Sequence, residues 1–361
     1  ARIVIAGGGT GGHVFPAVAV AEALQALADI DVVFCGTDRG VETRVVPARG
    51  WRLELLDVRP LKGQSPRRAM MSAARAAGAT LRALGLLRRL RPRVVLSVGG
   101  YASGPVALAA VMRRIPIAAL EPNQVAGLAT RLAAPFVQLA YIAWEETGSS
   151  FAALTRRLYG VPLRRGFAPR PYVPRRVGGG ARVLVIGGSQ GAAALNERMP
   201  EAMARVQRHL PGVEVTHQAG RDREATVRVA YAREAVHAAV VPFLDDMAEA
   251  IAGADLVVAR AGAGTIAKIT AIGRAALLVP FPYAADDHQA RNAEALSRAG
   301  AAVCLRQEAA DVPRLAVEIE RLLSDGSKRV ALADAARARG KPNAARDVAA
   351  DLLSLANVEA R

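Results

Sequence analysis

Cysteine is nearly missing from this chain, and the little there is cannot cross-link it. Cys35 and Cys304 are the only two among 361 residues, far apart and each inside an apolar, strand-like run. They read as buried free thiols in a reducing compartment, with neither a disulfide framework nor a CxxC metal site. Aromatic residues are scarce as well, at 4%, and no basic run is interleaved with them. That argues against a base-stacking platform, so nucleic acid is not an expected partner. No window holds the roughly 18 uninterrupted apolar residues of a membrane span, and no charged segment followed by a long apolar stretch opens the chain. A cytoplasmic location is expected. Acidic residues fall short of basic ones, 32 against 48, for a formal charge of +16. Such a charge favours anionic surfaces; with nucleic acid set aside, an anionic membrane face is the better match. An arginine- and alanine-rich composition accounts for the same charge without any partner.

What the chain does contain is a repeated opening. Arg2-Ile3-Val4-Ile5-Ala6 runs into Gly7-Gly8-Gly9-Thr10-Gly11-Gly12-His13, and Arg182-Val183-Leu184-Val185-Ile186 runs into Gly187-Gly188-Ser189-Gln190-Gly191. Each is a β-branched run suited to a buried parallel strand, followed by glycines and an alanine- and leucine-rich helical stretch. Such a turn brings backbone N–H groups and a helix N-terminus to face a ligand, often an anion. Two openings in a chain of this length predict two nucleotide-fold domains. Strand-like runs at 2–6, 31–35, 94–98, 116–120 and 137–143 alternate with helical patterns at 16–28 and 69–90. The rhythm restarts with strands near 182–187, 213–217, 238–241, 256–259 and 276–280, which predicts parallel sheets with helices on both faces. The Pro/Arg/Gly-rich stretch from Gly160 to Gly180 reads as a linker. Segment 62–93 sets Met70, Met71, Ala74, Ala77, Leu81, Leu84 and Leu87 at helical spacing among arginines. It suits either a headgroup layer or packing on a sheet.

Polar residues gather where strands end. Gly7-x-Gly9-x-x-Gly12 satisfies the dinucleotide fingerprint, a weak signal alone. His13 follows it at a helix start, where the macrodipole disfavours imidazolium and leaves a base suited to deprotonating a hydroxyl. Ser97 to Pro105 forms another strand-to-glycine opening, and Glu121-Pro122-Asn123 closes the next strand with more polarity than a turn needs. Arg260-Ala261-Gly262-Ala263-Gly264-Thr265 opens a helix whose free N–H groups suit a diphosphate without a metal. Asp286-Asp287-His288-Gln289 with Asn292 offers groups able to read sugar hydroxyls. The lone Asp29-Ile30-Asp31 precedes its strand, so no metal-binding carboxylate pair stands at a strand end.

Together GGTGGH (8–13), GGYASGP (99–105), GGSQGA (187–192), AGAGT (261–265) and DHQ (287–289) resemble the MurG family of bacterial peptidoglycan N-acetylglucosaminyltransferases, over nearly the whole chain. The resemblance implies an α/β GT-B fold, two Rossmann-like doubly wound domains facing across a cleft. Residues 1–163 would form the acceptor and membrane-associated domain and 164–340 the UDP-GlcNAc domain; a helix in 341–361 would pack back on the first. It implies inverting, metal-independent and cofactor-free transfer of N-acetylglucosamine from UDP-GlcNAc to the C4 hydroxyl of MurNAc in lipid I, giving lipid II. It also implies a peripheral position on the inner face of the cell membrane. Carried over by position, His13 is the base, and Gly9, Tyr101 and Glu121 shape the acceptor side. Thr10, Gly11 and Gly12 approach the acceptor diphosphate and count with the donor site. Asn123 meets the transferred sugar, while Arg164, Ser189 and Gln190 reach the donor diphosphate and its surroundings. Leu244 presents its backbone to uracil, Gly262, Ala263, Gly264 and Thr265 hold phosphate, and His288 and Gln289 bind sugar hydroxyls.

The chain departs from that family at telling places. Lys268 stands where the family has a glutamate accepting from the ribose hydroxyls, and an ammonium has no acceptor to offer. Val161-Pro162 replaces Asn-Pro, Gly273-Arg274-Ala275 replaces Gly-Leu-Pro, and Leu120 and Pro122 flank Glu121. Three alternatives stay open on the residues: a GT-B transferase with another glycolipid or small acceptor, a dehydrogenase, and a non-catalytic membrane-associated relative.

Overall fold

The computed structural model describes residues 1–58, 66–152, 155–175, 180–188 and 191–360. The chain divides into two compact units: Ala1–Arg165 with Asn343–Arg361, and Gly166–Pro342.

The first unit holds β1 (Arg2–Ala6), α1 (Gly11–Leu27), β2 (Asp31–Gly36), α2 (Glu42–Val45), β3 (Arg52–Leu55), α3 (Pro66–Leu90), β4 (Val94–Ser97), α4 (Ser103–Met112), β5 (Ile117–Glu121), α5 (Leu128–Ala133), β6 (Leu139–Ile142) and β7 (Arg156–Arg157). Its strands are ordered β3-β2-β1-β4-β5-β6-β7, every pair parallel. Parallel pairing buries both faces of the central strands, which is why β1 is apolar at every position from Ile3 to Ala6. The period-two alternation of a strand sends Ile3 and Ile5 toward Val18 and Leu24 of α1. Val4 and Ala6 turn the other way, toward Leu86 and Leu87 of α3 and Val106 of α4.

The second unit repeats the plan with β8 (Arg182–Ile186), α6 (Ala193–His209), β9 (Glu214–Gln218), α7 (Glu224–Arg233), β10 (Ala238–Val241), α8 (Met247–Gly253), β11 (Leu256–Ala259), α9 (Ala263–Ile272), β12 (Ala276–Leu278), α10 (His288–Arg298), β13 (Val303–Cys304), α11 (Val312–Ser324) and α12 (Gly326–Arg339). Its all-parallel order is β10-β9-β8-β11-β12-β13. The last helix, α13 (Ala344–Leu355), packs on α1, and Val348 and Leu352 join the core of the first unit. Both units are doubly wound α/β sheets.

Several elements differ from the sequence reading. Helix α1 begins at Gly11, not 16, so the glycine pair and His13 lie inside its first turn. Strands β3 and β7 carry charged residues in place of an apolar run, and β13 is only two residues long. Each lies at a sheet edge, where charged side chains such as Arg52 and Arg157 are compatible with pairing on one side only. Cys35 is buried and burial pushes its thiol up to about 12, but Cys304 is half-exposed, correcting its reading as a buried thiol. The stretch read as linker is tied down over 170–175. Arg329, fully buried, donates to the Tyr172 hydroxyl at 2.8 Å and the Arg175 carbonyl at 3.1 Å. Arg274 donates to the carbonyls of Arg170 and Pro171 at 3.1 and 3.2 Å. The departure at Arg274 therefore has a structural role, clamping the entry of the second unit.

Candidate active site

In a doubly wound sheet ligands bind beyond the strand C-termini where the strand order reverses. In the first unit that point lies between β1 and β4. The loops leaving these strands pack backbone to backbone: a Cβ at Gly7 would overlap the Gly99 carbonyl, and one at Gly100 the Gly8 carbonyl. Gly7 N–H donates to the Cys35 carbonyl at 2.9 Å, Gly8 N–H to the Gly99 carbonyl at 3.3 Å, and Gly9 N–H to Glu42 Oε2 at 2.8 Å. The three glycine N–H groups are thus taken up inside the protein. The donors that remain are those of the first turn of α1, around Thr10, Gly11 and Gly12, which have no intrahelical acceptor.

His13 is the third residue of α1 and half-buried, with Nδ1 3.3 Å from the exposed Thr10 Oγ1. Its ring lies against Gly99, whose built Cβ would stand 3.1 Å from Cδ2 and Nε2. If Nδ1–H donates to the threonine oxygen, Nε2 is the bare nitrogen and can take a proton. Tyr101, next in the loop after β4, is 50% exposed. Glu121 is buried at the end of β5 and turned into its own loop: Oε1 accepts from Asn123 N–H at 3.1 Å and Nδ2 at 3.2 Å, and Oε2 from Gly127 N–H at 3.1 Å. It shapes the loop that presents half-buried Asn123. Arg164 is exposed, with no ion-pair partner among the described residues.

In the second unit the reversal lies between β8 and β11. Ser189 and Gln190 lie outside the described residues; Gly188 just before them is held by Gln218, buried at the end of β9. Its Oε1 accepts from Gly188 N–H at 3.0 Å, and its Nε2 donates to the carbonyls of Gly188 at 2.7 Å and Pro242 at 3.1 Å. Helix α9 starts beyond β11 with Gly262 as its N-cap. A Cβ at Gly262 or Gly264 would meet nothing, and neither glycine has positive φ. Packing therefore does not require them, and the first-turn N–H groups of α9 are of the kind that binds an anion. Thr265 N–H already returns to the Gly262 carbonyl at 2.9 Å. Lys268, one turn further, holds its ammonium 5.8 Å from the centre of the Phe167 ring. Leu244 is half-buried in the loop that leads from β10 to α8, and α8 packs on α9.

His288 and Gln289 open α10, and Gln289 Oε1 accepts from Phe281 N–H at 3.1 Å. The preceding Asp286 and Asp287 both have left-handed backbones, φ 53° and 54°, a strain of the kind found where a loop is fixed for binding. Asn292, read as a group for sugar hydroxyls, is fully buried and donates to the Ala261 carbonyl at 3.4 Å, bracing the start of α9.

The residues missed from sequence are braces. Glu42, Gln218 and Arg260 each hold a loop from behind. Arg260 donates to the Val279 carbonyl at 3.0 Å and to Gln307 Oε1 at 2.6 Å; burial, then the neighbouring Arg198, lowers it to about 10. Only Glu42 had a usable signal, since Gly36 and Gly40 precede it and a Cβ on Gly8, Gly36 or Gly40 would run into its side chain.

Residues 3–142 match the glycosyltransferase family 28 N-terminal domain and 182–351 the glycosyltransferase family 28 C-terminal domain. The class defined by fold and site is thus a glycosyltransferase. A Sorangium cellulosum protein named UDP-N-acetylglucosamine--N-acetylmuramyl-(pentapeptide) pyrophosphoryl-undecaprenol N-acetylglucosamine transferase is 53% identical, over 98% of this chain and 88% of its own. A protein of the same name from Acidithiobacillus ferrooxidans is 43% identical over 98% of both. The crystal structure of Acinetobacter baumannii MurG superposes with TM-score 0.79 at 30% identity, covering 98% of this chain and 99% of the other. The chain belongs to the MurG family of glycosyltransferase family 28, with the GT-B type of domain.

Proposed function

We propose that this chain transfers N-acetylglucosamine from UDP-GlcNAc to the C4 hydroxyl of MurNAc in lipid I, giving lipid II. The observation that carries the reading is the 53% identity, over nearly the full chain, to a transferase of that name. The site residues supply a consistent chemistry. As the acceptor oxygen attacks the anomeric carbon from the face opposite UDP, His13 Nε2 takes its proton. The bond to the diphosphate breaks with its electron pair going to the leaving oxygen, and the configuration inverts. N–H groups at the start of α9, with Arg164, Ser189 and Gln190, answer the charge that develops there. Leu244 meets uracil, Asn123, His288 and Gln289 the donor sugar, and Thr10 to Gly12 the acceptor diphosphate, with Tyr101 and the Glu121 loop beside it. No metal takes part in this proposal.

The lipid-linked acceptor calls for a membrane face. Residues 62–65, and the side chains of 66–76, lie outside what the structure describes. Of the rest of segment 62–93, Leu87 is buried in the core and Leu81 is 69% exposed. A second apolar set stands on α4 and α5, which pack together: Met112 and Leu132 are 60% and 67% exposed, beside exposed Arg113, Arg114 and Arg131. Apolar side chains ringed by arginines suit an anionic headgroup layer. No described helix is long and apolar enough to cross a membrane.

The test is transfer of radiolabelled GlcNAc to a lipid I analogue with EDTA present. Native chain forms product, and His13→Ala loses roughly 100- to 10,000-fold in kcat. UDP-GlcNAc binding without product would mean another acceptor; neither binding nor product would favour a non-catalytic relative.

A further inference from the structure

We propose that Glu42 is a positioning residue for the transfer, its buried carboxylate fixing the Gly9 peptide and through it the Thr10–His13 segment that opens α1. The proposal rests on His13 as the base. Glu42 is 1% exposed, and among the described residues no lysine or arginine pairs with it. Three donors converge on it instead: Gly9 N–H on Oε2 at 2.8 Å, and Thr37 N–H and Oγ–H on Oε1 at 3.0 and 3.1 Å. The Gly9 carbonyl accepts from Val41 N–H at 3.4 Å, so residues 41 and 42 hold both polar groups of Gly9. Packing does not do this work. Gly9 has φ +93°, and nothing lies within 4 Å of where its Cβ would stand. Its conformation is set by these hydrogen bonds.

The bonded neighbour of Gly9 is Thr10, on which the first turn of α1 is built. The Thr10 carbonyl accepts from His13 N–H and Val14 N–H, both at 3.1 Å, and its hydroxyl lies 3.3 Å from His13 Nδ1. A rotation of the Gly9–Thr10 peptide therefore carries the imidazole with it. The glycines around the carboxylate fit this role. Gly8 comes from the β1–α1 loop and Gly36 and Gly40 from the stretch that joins β2 to α2, and any side chain on them would displace Glu42.

Glu42→Gln keeps the shape but cannot accept at both ends, so either Gly9 N–H or Thr37 N–H faces an NH2 group. The expected result is a fall in kcat of roughly ten- to a hundredfold. KM for UDP-GlcNAc should stay within about twofold, because the proposed contacts of Thr10 to Gly12 are with the acceptor diphosphate, while Gly262 to Thr265, Gln289 and Leu244 belong to the other unit. Thr37→Val removes one hydroxyl and leaves the bond to Gly9, and should keep kcat within about twofold. A Glu42→Gln enzyme with native kcat overturns the proposal, as does a Thr37→Val enzyme equally impaired. His13→Ala, assayed in parallel, separates the two readings. If it retains activity the base assignment fails; if it is inactive while Glu42→Gln is not, only the positioning role fails. Should Glu42→Gln not fold, Glu42→Asp carries the same test, its shorter arm reaching Gly9 or Thr37 but not both.

Discussion

Gly99→Ala puts a methyl group against the proposed base, and its cost can be split into two parts. Gly99 has φ +84°, so alanine carries a backbone penalty of about 1–2 kcal/mol whatever surrounds it. The methyl also stands 3.1 Å from His13 Cδ2 and Nε2, several tenths of an ångström inside ordinary contact. The imidazole must retreat or rotate, and Nε2 is the atom that would meet the acceptor proton. Gly50→Ala supplies the control. Gly50 has φ +76° in the same unit, with nothing within 4 Å of its Cβ position. Both variants should melt a few degrees lower, about 2–4 °C per kcal/mol for a unit of this size. They should part in catalysis: Gly50→Ala keeps native kcat, whereas Gly99→Ala loses on the order of tenfold or more, with KM for UDP-GlcNAc unchanged. Circular dichroism melts and the radiolabel assay measure both. Equal kcat for the two variants at equal destabilisation would refute the placement of His13 at the reacting oxygen.

Three further outcomes are expected. Lys268→Glu restores an acceptor beside α9 and should tighten UDP-GlcNAc several-fold by calorimetry; unchanged affinity would reject that account of the ribose contact. Met112→Glu with Leu132→Glu should weaken binding to phosphatidylglycerol vesicles by roughly tenfold or more, while turnover of a water-soluble acceptor stays native. Equal vesicle binding would move the membrane face elsewhere. His217 is fully buried between the Tyr231 hydroxyl at 2.9 Å and Asn196 Oδ1 at 3.1 Å, and burial pushes it down to about 3. Its unfolded form takes a proton near pH 6.5 and its folded form does not. Stability therefore falls by about 1.4 kcal/mol per pH unit from 6.5 toward 3 on this account and is flat above. An NMR titration in which the His217 ring protonates near pH 6.5 in the folded protein would contradict it.

Fold and site were legible to different depths. The central strands could be read because parallel pairing demands apolar residues on both faces, as in Ile3–Ala6 and Val183–Ile186. The edge strands could not, because Arg156–Arg157 pairs through backbone alone and no side-chain pattern announces it. Residues proposed to face a ligand stood out as glycines and polar groups at strand ends. Residues that hold those groups did not, since a buried brace leaves no periodic mark. Asn292 shows the limit most plainly: its type suits a sugar, yet it lies wholly inside the protein under Ala261. Arg274 shows the converse, a departure from the family pattern that is accounted for by four backbone carbonyls, those of Ala252, Arg170, Pro171 and Gly273.

The two braces behind the repeated glycine loops carry different charge, and the difference matches the work of each unit. Glu42 follows the second strand of its unit and Gln218 ends the second strand of the other, and both accept from the loop after the first: Glu42 from Gly9, Gln218 from Gly188. In the proposed reaction the second unit holds a diphosphate that gains negative charge as it leaves, and a carboxylate behind the loop would oppose that in a site of low dielectric. A carboxamide grips the same backbone without the charge. In the first unit the loop leads into His13, which in the proposed reaction becomes a cation as it takes the acceptor proton, so a carboxylate at that place would work with that reaction. Interchanging the two should therefore be harmful in both directions. Gln218→Glu, which keeps the bond to Gly188 N–H but loses the donors to the Gly188 and Pro242 carbonyls, would weaken the donor site by geometry and by charge together.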